Sequence, residues 1–554
     1  MRAVWLPWSA CKRPTGMSGG ALRDQLGAAD TGRILEALAR GASRRDVLKL
    51  LVGAGMGLAA SSSIVALAQS TVAAAPRRGG RVRVASATSS IADTLDPAKL
   101  ANQTDYMRSR MLYSCLTCFD GSLTPQPALA ERFTSDDARH WRFHLRGGVT
   151  FHDGKPLHAD DVVFSLLRHK DPATVSKAKI FADQIATARA VSASEVEVVL
   201  HQPNADLPVT LATFWFAIVQ AGTRDFNRGI GTGPFRLKEF KRGLRSVVVR
   251  NPGYWREGKP YVDEVVLAGL GDEGARVNAL LSGDLDLVAA IDPRSVARVE
   301  GSRGHRVLRQ ASGQYSNLAM RQDIAPGNDA DFTMAIKLLF DRARIVDSVA
   351  LGNAVVANDQ PIHPGNRFWF DGLPQRELDL DRARHHFQRT GLGSTPIPVV
   401  ASPAASYTVE MTLALQQQAR RIGMNLELRR MPPDGYWSNH WGRSAVGWGN
   451  VNARPNADAV LTQFFKSDAS GNDARWKDPR FDQLLLAARS ELDDARRKAL
   501  YADMQMMIHE QGGVAIPLFI SSLDGHDARL QGLASIPVGG MMGYEFAEHV
   551  WWAA

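Results

Sequence analysis

Cysteine is scarce in this chain, with three in 554 residues: Cys11, Cys115 and Cys118. That excludes iron–sulfur ligand spacing, and no c-type heme attachment motif is present. Other signatures of cofactor chemistry are missing too. There is no Gly-rich dinucleotide turn and no nucleophile elbow. Beyond the N-terminal segment no apolar run reaches the roughly 20 residues of an uninterrupted membrane span. No basic stripe with interleaved aromatics runs through the chain, which argues against nucleic acid. Internal repeats and low-complexity linkers are also lacking.

Net charge is small once the N-terminus is set aside. Ser43-Arg44-Arg45-Asp46-Val47-Leu48-Lys49 matches the twin-arginine export pattern. A Gly/Ala-rich, weakly hydrophobic stretch follows from Leu50, and Ala66-Leu67-Ala68 is a small-x-small cleavage site. Residues 1–68 therefore read as an export signal, with Met17 as an alternative start. An uncleaved anchor is the competing reading, disfavoured by the glycine content and the cleavage site. The segment takes nine of the 66 basic and four of the 57 acidic residues, which leaves +4. A charge that small implies no polyanionic partner. No Cys follows the signal, so a lipid anchor is not expected. Cys115 and Cys118 remain as a Cys-x-x-Cys, read as two small buried residues in a hydrophobic helix end rather than a disulfide or redox pair.

Two stretches carry most of the information. The first begins at Trp141 and runs through His152-Asp153-Gly154-Lys155-Pro156 into Asp160-Asp161-Val162-Val163-Phe164. Gly154 and Pro156 make a turn, and the two acids suit the positive end of a helix, with Asp160 as the cap. The second begins at Gly231-Thr232-Gly233-Pro234-Phe235. It continues as alternating strands over 235–240 and 245–250, a hairpin closed by Asn251-Pro252-Gly253. His152, Asp153, His158, Asp160 and Asp161 raise a metal or hydrolytic site. The two histidines are separated by a Pro turn and form no helical ligand pair, so turn and cap roles are preferred.

A chain of this length requires two or more domains. Helices are expected at 102–119, 159–168, 273–282, 332–350, 379–389, 407–421, 478–492 and 494–510. Strands are expected at 79–85, 141–145, 195–200, 263–270, 285–290, 316–320, 397–401 and 425–430. This alternation is the pattern of an α/β fold. Two α/β domains without a tether between them suit a hinge around a cleft.

Both stretches resemble the solute-binding proteins of bacterial ABC importers, in the dipeptide-, oligopeptide- and nickel-binding group known as family 5. The resemblance extends to Ala279–Leu287, Phe340-Asp341-Arg342, Leu378–Arg384, Ile422-Gly423-Met424, Trp476–Asp482 and Ile516-Pro517-Leu518. It implies a two-lobed periplasmic-binding-protein fold with a discontinuous first lobe, an added outer subdomain and a hinged ligand cleft. Lobe I would span 77–311 and 517–554, with the outer subdomain at about 120–228, and lobe II would span 312–516. The chain would cross between lobes near Ala311–Ser316 and Ala515–Phe519. The implied role is capture of a peptide or peptide-like solute in the periplasm, with delivery to an inner-membrane permease and ATPase complex. A monomer without cofactor, metal or nucleic acid is expected.

Within the resemblance, dipeptide-binding members hold the ligand ammonium with an Asp and its carboxylate with an Arg. The matching positions here are Val451, in Gly447-Trp448-Gly449-Asn450-Val451, and Ala405, in Ser402–Ser406. Both clamps are absent, and an unpaired buried charge costs several kcal/mol, so a zwitterionic dipeptide held at both ends is disfavoured. Trp437, Trp441 and Trp448 cluster among polar residues as pocket walls do, although core positions compete for them. The expected ligand contacts are Trp448, Asn450, Val451, Arg454, Ala405, Tyr407 and Trp437. Asn102, Thr104 and Asp105 would face them from the other lobe. Two other functions stay open: an exported enzyme with a bound cofactor, and a chaperone-like binder of extended peptides.

Overall fold

The structure, a computed structural model, describes residues 76–553. The twin-arginine segment and its cleavage site lie outside the described residues. Two long antiparallel strands, His305–Met320 and Leu518–Asp527, run through the middle of the fold. His305 lies opposite Asp527, and Tyr315 opposite Phe519. They sit at the centre of one continuous twelve-stranded sheet. On one side follow Leu287–Val288, Arg81–Ser86, Glu264–Gly269, Arg245–Arg250 and Phe235–Lys241; on the other follow Val446–Val451, Ile397–Ala401 and Leu426–Arg430. Each side carries its own helices, so the molecule is a two-lobed α/β fold. Leu518–Asp527 returns to pair with Leu287–Val288 late in the chain, which makes the first lobe discontinuous. The ladder between the two long strands loses register between Gln310 and Gln314. A bulge of this kind bends a strand and breaks its pairing.

In the first lobe Val82, Val84, Met107, Phe235, Val265 and Leu287 share one core. A separate four-stranded antiparallel sheet forms the outer subdomain: Ala130–Thr134, His140–Leu145, Glu195–Leu200 and Ile185–Ser192 in spatial order. Trp141, Phe143 and Leu145 are buried while Arg142 and His144 are not, the two-residue period of a half-buried strand. The helix Ala159–Leu167 follows. Its cap is His158 rather than Asp160, because Asp161 accepts from the His158 N–H at 2.9 Å and from Ala221 N–H at 2.8 Å. The two motif stretches meet here. The His152 ring lies within 3.1 Å of the Gly233 carbonyl and 3.4 Å of the Gly229 carbonyl.

The helix expected over 102–119 ends at Leu112. Gly231 and Gly233 pack against the main chain at Leu112 so closely that a Cβ on them would sit 2.2 Å and 2.4 Å from its carbonyl group. The chain turns there, and Thr117–Phe119 becomes a strand paired with Pro125–Pro127. Cys115 and Cys118 thus lie in an extended segment, both as free thiols.

In the second lobe Leu318, Met320, Phe332, Ile336, Met411, Leu415 and Trp448 pack on one face of the sheet. Tyr315, Val451, Phe481, Tyr501 and Phe519 pack on the other. The helix expected over 332–350 is two helices, Ala330–Leu338 and Arg342–Ser348. Asp341 separates them by capping the second, its carboxylate accepting from Arg344 N–H at 3.1 Å. Arg342 turns inward and pairs with fully buried Asp359 at 2.7 Å. At the end of the described chain Trp551–Trp552 pairs with Leu530–Gln531. The Trp552 indole donates to the Arg81 carbonyl at 3.0 Å and lies against Gly80.

Candidate functional site

Where the long strands lose register, a cavity of about 380 Å³ lies against them. This is within the ~300–1,000 Å³ range of small-molecule sites. Ile520 to Asp524 of one long strand and Gln314 of the other line it. The first lobe contributes Gln103 and Met107, one helical turn apart, together with Glu273 and Ala289 to Pro293. The second lobe contributes Tyr407, and the C-terminal segment contributes Gly540, Met541 and Tyr544.

Each wall has a local cause. Tyr407 precedes the helix Thr408–Arg421 in the left-handed region, φ 63°. The Ser316 hydroxyl steadies the preceding loop, donating to the Ser406 carbonyl at 2.8 Å. Met541, Met542 and Tyr544 also have positive φ, at 54°, 56° and 73°. Non-glycine residues held this way cost about 1–3 kcal/mol each unless their surroundings over-determine them. Here the surroundings are the bulged strands: Met541 N–H donates to Asp524 at 2.6 Å, and Met542 N–H donates to Gln310 Oε1 at 3.1 Å.

Asp524 is 1% exposed. Its carboxylate accepts from Gln310 Nε2 at 2.7 Å, Met541 N–H at 2.6 Å and Ala290 N–H at 3.2 Å. No ion pair reaches it among the described residues. Burial pushes its pKa up to about 6, against the pull of those three hydrogen bonds. Glu273 accepts from Asp292 N–H at 3.1 Å. Asp292 caps the helix Pro293–Gly301 and pairs with exposed Arg294 at 2.7 Å. Burial, with Asp292 and Glu410 adding, pushes the Tyr407 hydroxyl up to about 12.

Of the ten expected contacts, only Tyr407 lines this cavity. Trp448 is a core residue: it is 1% exposed, its indole donates to Thr412 Oγ1 at 2.7 Å, and it meets Phe340 edge-on at 6.2 Å. Val451 and Ala405 are also buried, at 5% and 1% exposure. Asn450 lies beside the Ser316 hydroxyl at 3.2 Å. Arg454 is used internally, donating to Gln463 at 2.8 Å and lying over Phe464. Trp437 is 42% exposed and packs edge-on against Tyr436 and Trp441. Asn102, Thr104 and Asp105 form a closed polar knot. Asn102 and Thr104 donate to Asp93 at 3.1 and 3.0 Å, and Arg108 bridges Asp93 and Asp105 at 2.8 and 2.6 Å. The cavity takes Gln103, on the opposite side of the same helix start, and the Gln103/Met107 spacing is the signal that marks this face. Glu273, Gln314, Asp524, Met541 and Tyr544 carry no comparable signal, because they come from four separate segments of the chain.

Residues 124–472 match the family described as bacterial extracellular solute-binding proteins, family 5 middle. That span is more than half of the 554 residues. The chain belongs to this family. Among the family 5 relatives, di/tripeptide-binding protein 2 of Pseudomonas aeruginosa (strain UCBPP-PA14) is 26% identical over 468 residues, covering 76% of this chain and 87% of that protein. Heme-binding protein A of Haemophilus influenzae is 25% identical over 464 residues, covering 75% and 83%. The solved structure of HbpA2 from Haemophilus parasuis superposes with a TM-score of 0.77 at 22% identity, over 86% of this chain and all of that one. At that identity the superposition shows the fold alone. Two relatives so alike in sequence distance carry names for unlike solutes, so family 5 membership leaves the solute to the cleft residues.

Proposed function

We propose that this chain is the periplasmic solute-binding subunit of an ABC importer, which captures a peptide or peptide-like solute by closing two lobes and presents it to a membrane permease. The cavity carries this reading. It sits where the long strands lose register, and it draws walls from both lobes. A ligand touching both walls stabilises the closed form by its differential affinity for it, so no catalytic group is required. The resemblance of 26% to a di/tripeptide-binding protein supports a peptide-like solute. The lobe boundaries proposed are 77–311 with 517–554, and 312–516, with an outer subdomain at about 120–228. Export by the twin-arginine route is part of the same proposal and rests on Ser43–Lys49.

Thermal unfolding with a panel of peptides, opines, sugars and nickel chelates tests this. A bound solute at 100 times its Kd adds about 2.7 kcal/mol to apparent stability. Stabilisation without consumption of the ligand, together with compaction in small-angle scattering, is the expected result. Turnover of any panel member would defeat the reading.

A further inference from the structure

The cavity wall is one-sided in charge. Glu273, Asp292 and Asp524 line it, and among the described residues no Lys, Arg or His does. One carboxylate, Asp292, is matched by Arg294, which lies outside the cavity lining and is 83% exposed. A buried cation, Arg276, stands behind the wall and is spent on main-chain carbonyls. Its Nε donates to the Ala289 carbonyl at 3.1 Å, Nη1 to Leu270 and Gly271 at 2.6 and 2.9 Å, and Nη2 to Ala290 at 2.9 Å. Glu273 spends one oxygen on the Asp292 N–H, and no protein donor among the described residues reaches the other.

The apolar part of the wall is aliphatic at Ile291, Ile520 and Leu523, with the Tyr407 and Tyr544 rings beside them; Tyr106 and Phe214 stand behind Tyr544. Tyr544 stands 5.3 Å from Tyr106, which stacks on Phe214 at 4.1 Å, and Met107 and Met541 lie beside the cavity. A ligand carboxylate here would meet like charges and no charged donor, and an uncompensated buried charge is strongly disfavoured. An ammonium group would meet Glu273 beside the Tyr407 and Tyr544 side chains, and a carboxylate and aromatic rings both attract cations.

We infer that the solute of this cleft is an organic cation: an ammonium group joined to an apolar or aromatic body, with no free carboxylate. A peptide that meets this description is blocked at its C-terminus. The inference rests on the cleft being the solute site, as proposed above.

Calorimetry on the full chain at pH 7.5 tests it with four probes. These are alanyl-phenylalanine, its C-terminal amide, the N-acetylated amide, and phenethylamine. The amide should bind at least tenfold tighter than the free acid, and the acetylated amide should not bind measurably. Free acid binding as tightly as the amide overturns the charge inference and leaves peptide capture standing. Phenethylamine binding with no peptide binding supports the charge inference and removes the peptide reading. If none of the four binds, both fall. Glu273→Gln keeps the acceptor for Asp292 N–H, so the fold should survive with an unchanged unfolding midpoint. Its preference for amide over acid should fall about tenfold, and an undiminished preference overturns the assignment.

Discussion

Removing Trp448 should cost stability and leave solute affinity alone. The side chain is 1% exposed, packs edge-on against Phe340 and donates to Thr412 Oγ1 at 2.7 Å. Trp448→Phe loses that hydrogen bond, about 1 kcal/mol net. It also empties part of the indole volume, worth about 1–2 kcal/mol more when neighbours relax only partly. The Thr412 hydroxyl keeps its own bond to the Thr408 carbonyl at 2.6 Å, so no second group is left bare. The expected loss is therefore about 2–3 kcal/mol, and Trp448→Ala should lose about 3–5 kcal/mol. Thr412→Val strands the indole N–H and should cost about 1–3 kcal/mol. Combined with Trp448→Phe it should add less than the sum, since the two share one bond. Urea unfolding of the four proteins gives the stabilities, and calorimetry with a bound solute gives the affinities. A tenfold weaker affinity in Trp448→Phe with stability changed by less than about 1 kcal/mol would refute the core placement.

Asp524 has a folded pKa of about 6 against the ordinary 3.8, raised by burial. Its contribution favours folding below about pH 4 and is lost as pH rises through 6, a swing of up to about 3 kcal/mol. The stability difference between wild type and Asp524→Asn, measured from pH 4 to 7.5, should follow that slope, and a flat difference contradicts it. Gly233→Ala places a methyl 2.4 Å from the Leu112 carbonyl carbon and should destabilise by 3 kcal/mol or more on the ~1–3 kcal/mol scale of overpacking, read as a lowered urea midpoint. The Cys115 thiol is pushed up to about 11 by burial, so thiolate-directed reagents at pH 8 should label it slowly in the native protein and quickly in urea. Fast native labelling would show the segment to be open.

The scaffold was legible because its signals are contiguous. The turn at His152–Pro156 and the hairpin after Gly231 declare themselves over a few residues, and glycine at 231 and 233 has a steric reason that sequence reading meets as turn chemistry. The cleft was not legible, because it is assembled one residue at a time. Which face Trp448 takes depends on its strand register: it lies opposite Leu318, whose face is core. A shift of one residue would have moved it to the opposite face, which is core as well, beside Tyr315 and Val451. Asn102, Thr104 and Asp105 belong to the helix start that reaches the cavity and lie on the side turned away from it. Gln103 beside them reaches the cavity, as successive helical residues point about 100° apart. The helix expected over 102–119 failed for a tertiary reason, since nothing local to Leu112 announces two glycines packing there from more than a hundred residues away.

The contact of Trp552 with Gly80 and the Arg81 carbonyl has a use in engineering. The first strand and the last residues described lie side by side, the arrangement that tolerates circular permutation. Joining them and opening the chain at a surface turn such as Lys241–Leu244, far in sequence from the bulged strands, would give a permuted receptor with both lobes intact. Reporter groups attached at the new ends and on the second lobe would then turn solute capture into an optical signal.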